Sequence, residues 1–549
     1  MKHALRPAVA VLMLAVVCAL VAVVVLGVAV ALVVAVNAGG AWSVLAGISV
    51  AGLVAALGVA LFGRRRRRKR GEGAGVRITT EEQPLFWVEI YRVAEGLEID
   101  PPDELMLFPD AEVSVSQGRT WMGLRPGVRR LHLGLPLLAG MTERELRAVI
   151  AFESCRRWGP FSLARVVYRS REIIGRVADR VGEKSIVGRI VGRFGRAYLA
   201  VSSPITRDHE LEADRLSADI SGNDATAAAL SDYAVLSKAW AAFVDGYAGP
   251  AAAVGRRPEA LFAGFTSFLQ DPGRRAQLAG AADAADETGS QLGSAYACQV
   301  SLEDRLAAIE SLSEDDIHDR TGPALGLMRN PDQLIRQVEE CMFRESDSVP
   351  ATWEDILPEA GGAAAREDAM QLQRMGQEGG LGSTLSVAVL VELLSLGLVD
   401  EMVRPMLPAG ASQQAERRLA GRLVTGFLAT AAIESGTASY RFSWAAPRLL
   451  VDEQGAADDL PLLVDAALAD VAQVPALELW LQAHHVGHEL ELGTDRGPAV
   501  RQGQPDLPAE AANEDHPEAS NEASNEASNE SPDEDAAPSM VPGSRTASV

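Results

Sequence analysis

Three patterns of apolar and polar positions divide this chain. From Ala8 to Val36, and again from Ala41 to Phe62, the residues are uncharged and almost continuously apolar. About 20 such residues, rising ~1.5 Å each, cross a hydrocarbon core of roughly 30 Å, so the two runs predict a transmembrane helical hairpin over residues 1–62. They exceed the roughly 7–15 apolar residues of a signal peptide, which would not be followed by a second span. Lys2 and Arg6 precede the first run and Arg64–Arg70 (RRRRRKR) follows the second. This positive-inside bias places both ends, and with them the main domains, on the cytoplasmic side of a plasma or inner membrane. Residues 63–75 then read as a basic cytosolic linker that contacts anionic lipid.

The second pattern is shorter in period. Leu85, Val88, Tyr91 and Val93 fall near helical spacing, and the runs ELMLF, EVSVS and RRLHLGL that follow are separated by Pro, Gly and Asp. One helix and a small antiparallel sheet are expected. A further helix is predicted from Thr142 to Trp158, where Thr142 and Glu145 make a capping-box pattern and Leu146, Val149 and Ile150 define the buried face. Glu153 follows those three by helical steps and shares their face, so its carboxyl group points inward and needs a partner or a proton. Residues 161–200 are arginine-rich and amphipathic, with Val187, Ile190, Val191 and Phe194 opposite Arg189, Arg193 and Arg196. Either an interfacial helix on the membrane or a helix covering the domain core fits this stretch. Over residues 205–222, Glu210, Ala213, Asp214 and Ser217 share one helical face and Gly222 is a natural stop.

The third pattern, residues 316–492, is mainly helical with a strand at SYRFSW. Leu385–Val399 contains Glu392 and is short for a span, so a buried helix is expected. His484 and His488 stand one turn apart, a candidate metal pair whose plainer reading is surface or capping histidine. Beyond Gly493 the composition shifts to Pro, Glu, Ala, Asn and Ser with an EASN repeat from Glu518, which predicts a disordered acidic tail over residues 493–549.

Charge and cysteine usage narrow the partners. A net charge of -23 excludes nucleic acid as an expected ligand, since phosphate recognition needs a positive surface. Cys18, Cys155, Cys298 and Cys341 are scattered, which suggests neither a disulfide framework nor a thiolate zinc site and fits a reducing compartment.

Over residues 76–315 the segments RRLHLGLPLLAGMTERELRAVIAFE, RDHELEADRLSADISG and SLEDRLAAIESL resemble the HtpX and CAAX prenyl protease family of membrane-bound zinc metallopeptidases. The resemblance implies a zincin-like domain in which Glu153 holds the general-base position, Glu210 that of the third zinc ligand, and Asp214 that of a carboxylate orienting a ligand histidine. Where the family has the two histidines of H-E-x-x-H, this chain has Phe152 and Arg156, and Gln299 and Val300 replace a His-Pro pair. Phenylalanine has no lone pair and a guanidinium has no acceptor, so neither binds zinc. Cys155 and His209 lie off the ligand face. Arg156 is expected between Glu153, Glu210 and Asp214 as a fixed cation in place of the metal.

The expected whole is therefore an α+β, mainly helical protein: membrane hairpin, metallopeptidase-like domain, helical C-terminal domain and tail. Its expected role is that of a catalytically inactive homologue, without cofactor, that binds membrane or cytosolic proteins. Two alternatives stand beside it: an active zinc endopeptidase of membrane-protein quality control with unconventional ligands, and a scaffold acting through the helical C-terminal half.

Overall fold

The computed structural model describes residues 75–120, 125–158, 186–274, 300–313, 322–344, 346–380, 385–407 and 411–487, with isolated positions elsewhere. Apart from such positions, the two expected spans lie outside the described residues, as do the basic run, His488 and the tail. Among the described residues no helix is long and apolar enough to cross a membrane. The chain separates into two units, Met1–Leu492 and Gly493–Val549, and the described fold belongs to the first.

That fold is mainly helical α+β. Its N-terminal part runs β1 (Val76–Ile78), α1 (Pro84–Gly96), β2 (Glu104–Phe108), β3 (Val113–Thr120) and β4 (Arg125–Gly134). The sheet order is β1-β2-β4-β3. The strands occur where the short apolar runs place them, but the sheet is mixed rather than antiparallel: β2 and β4 are parallel. β3 turns back on β4 and takes the outer edge, which leaves β4 beside β2 running the same way. Alternation then aligns two apolar rows across the sheet, Leu105–Leu131–Val115 and Leu107–Leu133–Val113, all buried on the face that meets the helices.

In α1 the buried side is Phe86, Trp87, Ile90, Val93 and Ala94. Leu85, Val88 and Tyr91 lie outside, so of the four residues grouped by spacing only Val93 faces the core. Both sides of this helix are apolar, and the larger area of the Phe86–Trp87 side decides which one is buried.

α2 (Glu143–Trp158) begins with a complete capping box. Thr142 N–H donates to Glu145 Oε2 at 2.8 Å, and Glu145 N–H donates to Thr142 Oγ1 at 3.3 Å. α1 is tied to α2 by the buried ion pair Glu89–Arg147. α3 (Ile186–Ser221) packs along α2, where Ala213 is fully buried and Ser217 Oγ donates to the Ala148 carbonyl at 2.7 Å. It stops at Gly222, whose φ of 94° suits glycine and ends the helix. In the arginine-rich part of α3, Arg189, Arg193 and Arg196 are exposed while Phe194 stacks near the fully buried Tyr198. Here the helix covers a small core of Val167, Ile174, Tyr198 and Ile205.

The main further helices are α4 (Asn223–Phe243), α5 (Leu261–Gln270), α6 (Leu302–Glu310), α7 (Pro331–Phe343), α8 (Trp353–Glu378), α9 (Val387–Ser395) and α10 (Gln413–Glu434). They are followed by the hairpin β5 (Ala438–Arg441) and β6 (Leu449–Asp452), then α11 (Leu460–Ala469) and α12 (Val474–Ala483). α9 is a short buried helix within a second core, and β5 overlaps the first three residues of SYRFSW.

Two apolar cores organise these helices. The first centres on Phe243, whose ring lies within 5.7 Å of those of Trp240, Tyr247, Phe265, Phe268 and Trp353. Residues on both sides of position 315 share it, from Ile78 through Leu334 and Val338 to Ile356 and Leu357. The second core joins Leu372 and Met375 of α8 to α9, α10, α11 and α12. α8 thus belongs to both, through its N-terminal and C-terminal halves.

Candidate functional site

The inward face of α2 carries the candidate acid. Glu153 is buried, and Arg156, one turn later, donates Nη2 to both of its carboxylate oxygens at 2.6 and 2.7 Å. These charge-assisted bonds engage both carboxylate oxygens. His209 Nε2 lies 3.4 Å from the Arg156 carbonyl oxygen, away from the acids.

From α3, Asp214 is 1% exposed and meets a second guanidinium. Arg305 of α6 donates Nε to Oδ2 at 2.8 Å and Nη2 to Oδ1 at 2.6 Å, a parallel two-bond pairing. Arg305 is positioned because Ser301 caps α6, accepting the Asp304 N–H at 3.1 Å. Phe152 lies beneath both cations, with Arg305 Cζ 4.4 Å and Arg156 Cζ 5.5 Å from its ring centroid. The residue that replaces one expected imidazole therefore serves as an aromatic base for the two guanidiniums.

Glu210 is buried one turn before Asp214 and accepts the Val300 N–H at 3.4 Å. Burial raises its carboxyl above the usual range, outweighing Arg305, the Val300 bond and Arg156, while Asp214 adds to the rise. Three acids thus face two cations, and a proton favoured on Glu210 brings the cluster towards neutrality. Because the fold favours the protonated form, ionising Glu210 opposes folding. That penalty is absent below the ordinary carboxylate range and grows as pH rises towards the raised folded value. Glu210→Gln should therefore raise the melting temperature at about pH 7 and leave it unchanged near pH ~4. Thermal unfolding at both values checks this, and equal shifts at the two would show that the carboxyl charge is not the cause.

Arg156, expected between Glu153, Glu210 and Asp214, bonds Glu153, whereas the guanidinium bonded to Asp214 is that of Arg305. Arg305 is not marked by the sequence pattern, because its distance from Asp214 along the chain gives no spacing to read. The available signal was a basic residue inside SLEDRLAAIESL, the segment matched to the same resemblance as the acidic helix.

The neighbouring candidates have other roles. Cys155 is 4% exposed, and burial pushes its thiol up to about 11, so it is a protonated core side chain. His484 stacks on Trp480 and places Nε2 2.9 Å from Asp458 Oδ2 and Nδ1 3.0 Å from the Trp480 carbonyl. Asp458 Oδ1 also accepts Trp480 Nε1 at 2.8 Å, so His484 pins the end of α12 with both ring nitrogens engaged. His488, its suggested metal partner, lies outside the described residues.

The donor set around α2 does not fit zinc. Phe152 offers no lone pair, and the carboxylates of Glu153 and Asp214 are taken up by guanidiniums. Among the described residues no group of three or more His, Cys, Asp or Glu side chains could hold a metal ion.

Beside this cluster is a cavity of about 230 Å³, walled largely by apolar side chains of α2 and α4 and bordered by Phe152, Glu153, Asp214 and Arg305. Three hydroxyls line it, those of Ser217, Thr226 and Tyr233. Tyr233 accepts the Val113 N–H of β3 at 3.4 Å, and burial followed by the Glu153 charge pushes its hydroxyl up to about 12. Thr226 is 2% exposed, and its Oγ1 has no hydrogen-bond partner among the described residues. A buried hydroxyl left in this state costs about 1–3 kcal/mol, which a polar atom of an occupant would recover. β3 is an edge strand with no outer neighbour among the described residues. No protein-family model, curated protein or solved structure matches this chain.

Proposed function

We propose that this protein is a membrane-anchored, cytosol-facing metallopeptidase homologue that binds rather than cleaves, receiving an extended segment of a membrane or cytosolic protein beside α2 and β3. The observation that carries this reading is Arg156 on both oxygens of Glu153. With both oxygens engaged by a guanidinium, Glu153 is not a free general base, and Phe152 offers no lone pair to a zinc ion that would activate water. What remains useful is shape: an edge strand that can pair with a peptide backbone, next to an apolar cavity with one unmet hydroxyl. The cavity suits an apolar side chain, and Thr226 offers a bond at its wall.

The test uses the purified full chain, its metal content after zinc loading, and its binding to extended apolar peptides. Sub-stoichiometric zinc, no cleavage, and measurable peptide capture are expected. Ala229→Phe, which fills the cavity from α4, should weaken capture by about tenfold or more, equivalent to ~1.4 kcal/mol. Stoichiometric zinc that disappears in Glu210→Ala would overturn the proposal and restore a working peptidase.

A further inference from the structure

α1 carries an apolar strip that stays about half exposed on the outside of the described fold. Leu85, Val88 and Tyr91 are 54%, 50% and 45% exposed and follow one another at three-residue steps, so they line one outer side of the helix. The opposite side already fills the core with Phe86, Trp87 and Ile90, so the strip is not a displaced core row. Its place in the chain indicates what meets it. Residues 63–75, which include Arg64–Arg70, are all that separate β1 from the second apolar run, and 13 residues reach at most roughly 45 Å. Arg77 and Arg329 stand at the N-terminal end of α1, where with Gln83 they line a polar cavity of about 220 Å³. Glu81 and Glu82 share that end and nearly balance the two arginines, so attraction to headgroups comes chiefly from the linker, and insertion from the strip.

We infer that α1 is a membrane-docking helix: Leu85, Val88 and Tyr91 enter the interfacial region of an anionic leaflet while Arg64–Arg70 holds its headgroups. This rests on the membrane anchoring in the proposed function. A soluble partner would have neither the short tether nor the basic segment to favour it. Because α1 is locked to α2 through Glu89–Arg147, docking would also hold the Glu153 cleft at a set height above the bilayer.

The experiment places a photoreactive p-benzoylphenylalanine at Val88 in the full chain, reconstituted into phosphatidylglycerol or phosphatidylcholine vesicles. The same substitution at Leu462, 69% exposed on α11, is the control. Melting like that of the parent chain verifies each variant. After photolysis, mass spectrometry should find lipid adducts at position 88, several-fold more in phosphatidylglycerol, and few at position 462. A chain that floats with vesicles after alkaline extraction yet gives no lipid adduct at 88, or equal adducts at both positions, overturns the docking helix alone. Cross-links from 88 to a second copy or another protein in place of lipid also overturn it. A chain that does not float overturns the membrane anchoring and the docking helix together.

Discussion

Arg305→Ala should lower the unfolding free energy by about 3–5 kcal/mol, as expected when one partner of a buried ion pair is removed. Asp214 is the reason: at 1% exposure its carboxylate has no water to replace the two bonds from Arg305. Arg305 also stacks on Phe152, so its loss uncovers an aromatic face besides stranding a charge. Arg305→Lys should recover only part of the stability, since an ammonium cannot reproduce the parallel pairing. Urea denaturation of Arg305→Ala, Asp214→Ala and the double variant measures the coupling directly. If Arg305→Ala changes stability by less than about 0.5 kcal/mol, as an ordinary surface substitution does, the paired cluster is not what holds α3 against α6.

Phe243→Ala is expected to cost a similar amount, about 3–5 kcal/mol, for a different reason. Its ring is fully buried at the meeting point of α4, α5 and α8, and Trp444 from the β5–β6 connection reaches the same cluster at 6.1 Å. The lost contacts therefore belong to sequence regions more than a hundred residues apart. A single unfolding transition at lower temperature, seen by both tryptophan fluorescence and far-ultraviolet circular dichroism, is the expected outcome. Two separated transitions would show that the N-terminal and C-terminal helices fold independently. By the same reasoning, a chain ending after residue 330 exposes Phe243 and should aggregate.

The elements were legible in the sequence where local chemistry specifies them. Thr142 and Glu145 marked the start of α2 because a capping box is a contact between near neighbours, and Gly222 marked the end of α3 because its backbone conformation is local. Leu131 and Leu133 likewise announced a strand. The direction of β4 against β2 was not legible, because it depends on β3 taking the outer edge. The outward facing of Leu85, Val88 and Tyr91 was hidden for another reason: periodicity marks a row of apolar residues but does not say which of two rows the core selects. At the site, Glu153 and Asp214 border one cavity, and Asp214 lies close enough to Glu210 to raise its carboxyl. Arg305 entered only through the tertiary fold, as the guanidinium bonded to Asp214.

The two arginine pairs also bear on how this protein reaches its finished state. A metal centre must be loaded, and its ligands release protons as it is. A guanidinium is attached to the chain and charged from synthesis onward, since it does not deprotonate in proteins. On the proposed reading, with Arg156 and Arg305 supplying the positive charge beside Glu153 and Asp214, maturation of that packing would be uncoupled from metal supply.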